Sequence, residues 1–510
     1  MTATPPLPEA QPVPTADPPP TSSADGKHRV LIVGGGFGGL YAARTLGKDK
    51  RVAVTLVDRR NHHLFAPLLY QVATGALSPG EIAQPLRSVL RRHSNTTVLL
   101  GEAKQLDPVR RELWLDDGAR LGYDSLIVAT GAHHSYFGHE DWARIAPGLK
   151  SIDDAIEIRR KILIAFEAAE REHDPERRAE WLTFVIVGGG PTGVELAGAL
   201  GEIARDTLRR DFRSIDTADA KILLMEGTDR VLQTYPKDRS DSACRQLERL
   251  GVTIRTMTRV VDLDERSVTV ETAEGRERVP AGTILWAAGV LASSFSRVLA
   301  QATGAPADRS GRIQVTPNLT VPGRPEIFVV GDAASQPWRK DRPVPGVAQG
   351  AIQSGTHAAK TVLGRLSGEP DRPFRYRNRG DVAVIGRLSG VTDIPWLGPF
   401  GKQSGFFAWF LWLGIHIVYL IGFANRIVVS VRWAWSFLTH GRGSRLITGS
   451  PLLPPIEDPT VPVPVMAPAD AARPRRRRLI RGGEGATTPA DASSPVEGGE
   501  LVAPGRSKRR

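Results

Sequence analysis

The sequence predicts an α/β fold with two Rossmann-like dinucleotide-binding domains, one inserted into the other, followed by a helical C-terminal module. Three observations predict it. The strand-plus-glycine unit VLIVGGGFGG (Val30–Gly39) recurs about 150 residues later as FVIVGGGPTGVE (Phe184–Glu195). Each unit begins with apolar β-formers and opens into a helix-like stretch. A further apolar run, IFVVGDAA (Ile327–Ala334), returns to the first domain once the second is complete. One glycine motif of this kind is a weak signal, but two in strand–turn–helix context imply two dinucleotides. The first glycine makes the tight turn, the second lets the backbone approach a pyrophosphate, and the third allows close helix–strand packing. The helix N-terminus then binds the phosphates.

Taken in order, residues 1–27 read as a Pro-rich disordered leader without a basic or apolar signal segment. The first domain opens at 28–150. Within it Arg29–Val33 is a buried parallel strand and a helix runs from Phe37 to about Gly47. A second strand, Val52–Val57, ends at Asp58, 24 residues after Gly34. That is near the spacing of about 20 residues for the carboxylate that binds a ribose hydroxyl. Leu126–Gly131 (LIVATG) is another buried strand. A helix over Ile152–Glu172 leads into the second domain, 151–300. There Trp181–Val187 is a strand, Pro191 to about Phe212 a long helix, and Lys221–Met225 a strand ending at Glu226. Glu226 lies 38 residues after Gly188 and is placed by its strand position. An acid there accepts hydrogen bonds from the ribose 2′- and 3′-hydroxyls and repels a 2′-phosphate. With no cation following until Arg230, NADH is favoured over NADPH. Thr283–Gly289 (TILWAAG) closes the insert, 301–380 completes the first domain, 381–450 forms the C-terminal module, and 451–510 reads as a disordered basic tail around Arg473–Arg478.

The formal net charge of +12 is unevenly spread over the 510 residues. Gly401–Ser450 carries Lys402, Arg426, Arg432, Arg442 and Arg445 with no Asp or Glu. Beside so many aromatics, this points to an anionic membrane surface and away from nucleic acid. Cys244 is the sole cysteine, which excludes a disulfide framework and a Cys-based metal cluster. No metal is expected.

Phe406–Phe423 (FFAWFLWLGIHIVYLIGF) is 18 residues long with only His416 polar. A helix of that length, about 27 Å, permits a single membrane span. Against a span, Asn425, Arg432, Ser436 and Thr439 form a helical polar stripe, and Trp433 and Trp435 suit a headgroup interface. The residues alone leave a span and a surface anchor open.

The combination of motifs is similar to that of the two-dinucleotide-binding-domain flavoprotein reductases. The resemblance implies non-covalent FAD in the first domain, at Gly34, Gly35, Gly36, Phe37, Gly38, Gly39, Asp58, Thr130, Gly131, Gly331 and Asp332. It implies NADH in the second, at Gly188, Gly190, Gly193, Glu226 and Gly289. Disulfide reductases of this fold need a Cys pair and the sulfide:quinone branch several cysteines, so one Cys leaves a non-thiol electron acceptor.

Asn61–Arg87 (NHHLFAPLLYQVATGALSPGEIAQPLR) resembles the signature of the type II NADH dehydrogenases, the single-subunit NADH:quinone oxidoreductases that pump no protons. Ala348–Gly355 (AQGAIQSG) is similar to their quinone-site motif. Gln349 and Gln353 stand four apart, so they share a helix face and can direct two amides at a quinone carbonyl. Glu195 matches the acid after the family's second glycine motif, placed near flavin and substrate; the macrodipole also favours an acid in a first helical turn. Arg379 stands where the family often has Lys, and Arg does not readily deprotonate, which places a proton-delivery role there in doubt. The resemblance thus implies catalytic Glu195, Gln349 and Gln353 and a quinone site of Ala348, Gln349, Gln353 and Arg379. It also implies helices lying in the membrane surface, and a membrane-anchoring module of that kind is the expectation. The implied partners are NADH, a membrane quinone (ubiquinone or menaquinone) and a lipid bilayer surface, at the cytoplasmic face of a bacterial cell membrane, with a homodimer compatible. Two alternatives remain open at this point: a soluble FAD-dependent NADH:ferredoxin or rubredoxin reductase, and a low-turnover flavin-binding membrane redox sensor.

Overall fold

The computed structural model describes residues 26–339, 342–439, 441–449 and 453. Residues 1–25 of the expected leader and, apart from residue 453, the expected basic tail lie outside the described residues.

The chain enters through β1 (His28–Val33), α1 (Phe37–Leu46), β2 (Val52–Asp58), the short helix α2 (Leu69–Ala73), β3 (Thr96–Leu100), β4 (Ser125–Val128) and β5 (Ala132–His134). Helix α3 (Ile152–Arg171), started by a reciprocal Ser151–Asp154 capping box, crosses to the second half. There follow β6 (Thr183–Val187), α4 (Pro191–Glu202), β7 (Lys221–Met225), α5 (Lys237–Arg249), β8 (Val252–Arg255), β9 (Thr283–Trp286) and β10 (Val290–Ala292). The chain then returns through β11 (Thr320–Val321), β12 (Arg324–Val329) and α6 (Ala348–Leu366). It closes with the β13 (Asp381–Gly386)–β14 (Ser389–Asp393) hairpin, α7 (Phe406–Tyr419) and α8 (Phe423–Thr439).

Two sheets organise these elements. The first has the order β11-β12-β4-β1-β2-β3, with β12, β4, β1, β2 and β3 parallel and β11 antiparallel. The second has the order β8-β7-β6-β9, all parallel. In each, the strand carrying the glycine motif is flanked by later strands on both sides, so its carboxyl end is the topological switch point where α/β sheets bind ligands. Val30–Val33 and Thr183–Val187 are almost wholly buried, as strands covered on both faces must be. The antiparallel β5–β10 pair ties the two halves together beside these switch points. Helix α4 is shorter than its periodicity suggested: beyond Glu202 it widens into one π turn, Ile203–Thr207, and does not reach Phe212.

The expected fold with a C-terminal membrane-anchoring module is overturned. Among the described residues no helix is long and apolar enough to cross a membrane. The apolar run is broken where Leu420 turns extended and Gly422 adopts φ +93°, which separates α7 from α8. Nor is this part of the chain a module of its own. Trp412, Leu420 and Val429 are buried in the same core as α2, α3 and α4. The protein is an α/β fold with two Rossmann-like units, and its last helices are part of that body.

A C-terminal strap fastens them. Arg442, only 8 % exposed, pairs with Glu202 at 2.8 Å and donates to Thr74 O. Ser444 N–H donates to Gly75 O, its hydroxyl meets that of Ser78 at 2.8 Å, and its carbonyl accepts from Arg159. Removing one partner of a buried ion pair strands the other charge. Arg442→Ala should therefore lower stability by roughly 3 kcal/mol, read as a shift of the urea midpoint. A shift equivalent to less than about 0.5 kcal/mol would mean that the pair behaves as an exposed one.

Candidate active site

The two glycine turns share one design. Gly34 and Gly188 follow their strands at φ +103° and +107°, and a Cβ on either would press on the neighbouring strand's exit, at Ala129 or Ala287. A Cβ on Gly39 or Gly193 would overlap the carbonyl of Gly34 or Gly188, so each helix packs directly on its turn. A carboxylate from the next strand then holds each loop: Asp58 accepts from Gly35 N–H at 2.5 Å, and Glu226 from Gly189 N–H at 2.6 Å. Asp58 also accepts from Arg60 N–H, and Glu226 from the N–H and hydroxyl of Thr228.

Gly36 and Gly190 differ from their neighbours. Each is the N-cap of its helix, without a side-chain cap, and a Cβ there would meet nothing within 4 Å. Two uncapped helix N-termini facing open space are what a pyrophosphate needs, so both crevices fit a dinucleotide.

Around the first crevice, Phe37 rests edge-on against His63 and Phe65. His63 is buried, shares a hydrogen bond with Gly35 O at 3.0 Å, and is pushed down to about 4 by burial, so it is neutral. Thr130 Oγ1 accepts from Ser293 at 2.6 Å, and Gly131 and Gly331 take φ of +67° and +66°. The Gly331 N–H donates to Ser354 Oγ on α6. Burial raises the Asp332 carboxyl. Gly38 lies under α6, where a Cβ on Gly355 would overlap the Gly38 carbonyl, so the last glycine of the AQGAIQSG motif serves helix crossing.

Glu195, in the first turns of α4, lines a cavity of about 120 Å³ with Tyr70, Gln71, Trp409, Trp412 and Trp433. Burial pushes its carboxyl up to about 8 against a backbone hydrogen bond at Val384. The carboxyl therefore holds its proton at neutral pH and is poised to give it up. Tyr70, fully buried, is raised by burial first and then by Glu195; it accepts from Gln71 Nε2 at 2.9 Å, and Gln71 Oε1 accepts from Trp433 Nε1 at 2.7 Å.

Ala348, Gln349, Gln353 and Arg379 come together elsewhere, and Gln349, Gln353 and Arg379 are not among the walls of this cavity. Ala348 opens α6. Gln349 accepts from Arg379 N–H and donates to Gly380 O, both at 2.9 Å. Gln353 accepts from Arg377 N–H at 3.1 Å and donates to Arg377 O at 3.0 Å. The shared face thus grips the segment leading into β13, and the Arg379 guanidinium reaches Tyr419 Oη on α7 at 2.5 Å. Sequence reasoning quoted Tyr70 and Gln71 within Asn61–Arg87 without giving them a part. In the sequence Trp433 and Arg442 read only as interface and basic-surface residues and Glu202 leaves no signal, because their partners are distant in the chain.

Residues 28–355 match the pyridine nucleotide-disulphide oxidoreductase family, which sets the class: a flavoprotein-type oxidoreductase with two nucleotide units. The type II NADH:quinone oxidoreductase Ndh of Mycobacterium tuberculosis is 46 % identical over 430 residues, covering 83 % of this chain and 90 % of that protein. The mitochondrial internal alternative NAD(P)H-ubiquinone oxidoreductase A1 of Arabidopsis thaliana is 29 % identical over 444 residues, covering 81 % and 84 %. The structure of NDH2 from Plasmodium falciparum in complex with NADH shares the fold, with a TM-score of 0.72 at 20 % identity over 80 % of this chain and 98 % of that one. The chain belongs to the type II NADH:quinone oxidoreductase family. Its reaction is FAD-dependent oxidation of NADH coupled to reduction of a quinone, without proton pumping.

The raised Glu195 carboxyl has a thermodynamic consequence. Its folded value lies above that of the unfolded chain, so the stability it contributes is complete at acid pH and is lost as pH rises from the ordinary carboxyl range through about 8. Glu195→Gln should therefore lose less stability than the native protein between pH 5 and pH 9 (about four pH units chosen to bracket both states), measured by urea midpoints. Parallel pH curves for the two proteins would exclude a protonated Glu195.

Proposed function

We propose that NADH binds non-covalently across the second crevice, at Gly188, Gly190, Gly193, Glu226 and Gly289, within the segment 151–300. FAD is held non-covalently in the first, at Gly34–Gly39, Asp58, Thr130, Gly131, Gly331 and Asp332. The observation that carries this is the matched pair of uncapped helix N-termini, each opening on free space beside a carboxylate-held glycine loop. FAD, when bound, supplies two-electron chemistry, taking up a hydride and giving up two electrons. The residues of the chain supply position and protons. Glu226 holds the ribose and disfavours a 2′-phosphate, while Glu195 holds a proton on the wall of its own cavity.

The quinone site is assigned to Ala348, Gln349, Gln353 and Arg379. A carboxamide nitrogen carries two hydrogens. Gln353 Nε2 places one on Arg377 O, and its second serves a quinone carbonyl. Arg379, fixed by Tyr419, orients without transferring a proton. A peripheral association with the cytoplasmic face of a bacterial cell membrane suits an insoluble quinone. Exposed Phe407, Phe410, Phe423 and Trp435 suit contact with lipid. They suit a homodimer equally, and sedimentation with and without liposomes separates the two.

The test is to resolve the half-reactions by stopped flow. Gln353→Ala should slow oxidation of the reduced enzyme by quinone about tenfold, the worth of one hydrogen bond, while NADH reduces the flavin at the native rate. Slowed reduction by NADH with unchanged quinone turnover would reverse the assignment.

A further inference from the structure

The NADH crevice has an internal order. Across the sheet β8-β7-β6-β9, Glu226 after β7 marks the adenosine ribose and Gly188–Gly190 after β6 mark the pyrophosphate. Gly289, after β9, therefore marks the nicotinamide half. Beyond each end of that line stands an exposed apolar side chain on left-handed backbone. Met257, just after β8, has φ +51° and is 63 % exposed. Its N–H donates to Thr228 O, and the next N–H, of Thr258, to Glu226 O. Phe137, just after β5, has φ +55° and is 68 % exposed. Its N–H donates to Ser135 Oγ, and its ring lies 6.3 Å from that of Trp286 and against Gly289, where a Cβ would stand 2.7 Å from Phe137 Cζ.

Left-handed backbone is costly for any residue with a Cβ, and it persists where the surroundings over-determine it, characteristically at ligand sites. Among the described residues five apolar side chains sit on such backbone: Phe137, Leu232, Met257, Leu319 and Leu388. Leu232 and Leu319 are buried, and Leu388 is half-buried. Phe137 and Met257 gain no such burial from the protein, so the apolar contact that would justify their strained placement has to come from an occupant of the crevice.

We propose that Phe137 and Met257 are the two apolar ends of the NADH site, Phe137 packing on the nicotinamide half and Met257 on the adenine. This rests on the reading of the second crevice as the NADH site. Phe137 belongs to the first half of the chain, so the nicotinamide is gripped from both halves at the place where the β5–β10 pair joins them.

The test uses the FAD-loaded enzyme titrated calorimetrically with NAD+ and with ADP-ribose, which lacks the nicotinamide. Phe137→Ala and Phe137→Gly should weaken NAD+ about tenfold, the worth of one aromatic contact, and leave ADP-ribose unchanged; Phe137→Tyr should restore the native affinity. The glycine variant relieves the backbone, so its thermal midpoint should stay at or above the native one. Met257→Ala should weaken NAD+ and ADP-ribose equally, and Met257→Leu should restore both. If Phe137 variants weaken both ligands together, the ring supports only the Gly289 turn and the inference fails. It fails also if Glu226→Ala weakens both ligands while Phe137→Ala leaves NAD+ untouched; the crevice reading then stands. If Glu226→Ala alters neither ligand, the crevice reading itself falls, and the two apolar ends with it.

Discussion

The rest of the site depends on a carboxylate at the end of a strand holding the second glycine of the preceding turn. Asp58 does this for Gly35 and Glu226 for Gly189. A glycine-rich turn is entropically expensive to order, and here a charge-assisted hydrogen bond from the adjacent strand fixes it. Once it is fixed, the third glycine seats its helix against the turn, and the helix N-terminus faces open space with its N–H groups uncapped. The acid therefore acts within the fold itself: it shapes the loop that opens on the crevice.

Much of this was legible because it is local. Both strand–glycine–helix units, the acids closing the second strands and the returning Ile327–Ala334 segment can be read from apolar runs and turn residues within a few positions of each other. The Gln349/Gln353 face was likewise predictable from helical spacing. What that face grips was not, since Arg377–Gly380 comes from a separate stretch of chain. The same limit hid Tyr70, Gln71 and Trp433, which meet across more than 360 residues. Periodicity assigns a face to an element; it does not name the partner that covers it.

The last helices show the same limit with the opposite result. An 18-residue apolar run reads as one long helix, yet it is interrupted at Leu420–Gly422, and the halves turn different sides to the protein. Trp412 and Val429 are buried while Phe407 and Phe423 are exposed. Hydropathy averaged along the run cannot distinguish an apolar side chain that fills the core from one that does not. The polar residues of the stripe have work inside the fold: Asn425 bonds the carbonyls of Gly80 and Glu81, and Arg432 pairs with Glu81.

Helix α4 carries these separate features on one rigid element. Its uncapped N-terminus opens at Gly190 on the second crevice, and Glu195 then projects on the cavity wall. Gly198 lies so near the Ile385 carbonyl that any side chain there would overlap it, which fixes the helix against β13. Glu202 ends the helix in the buried pair with Arg442 of the C-terminal strap. β13 in turn continues from the segment held by Gln349 and Gln353. A ligand that draws on the N-terminus of α4 therefore acts on a body already braced at its middle and its end, so small displacements at the crevice are resisted by packed backbone. The Glu195 carboxyl, raised by burial, is thereby kept at a set place on the cavity wall between the crevice at one end of the helix and the C-terminal strap at the other.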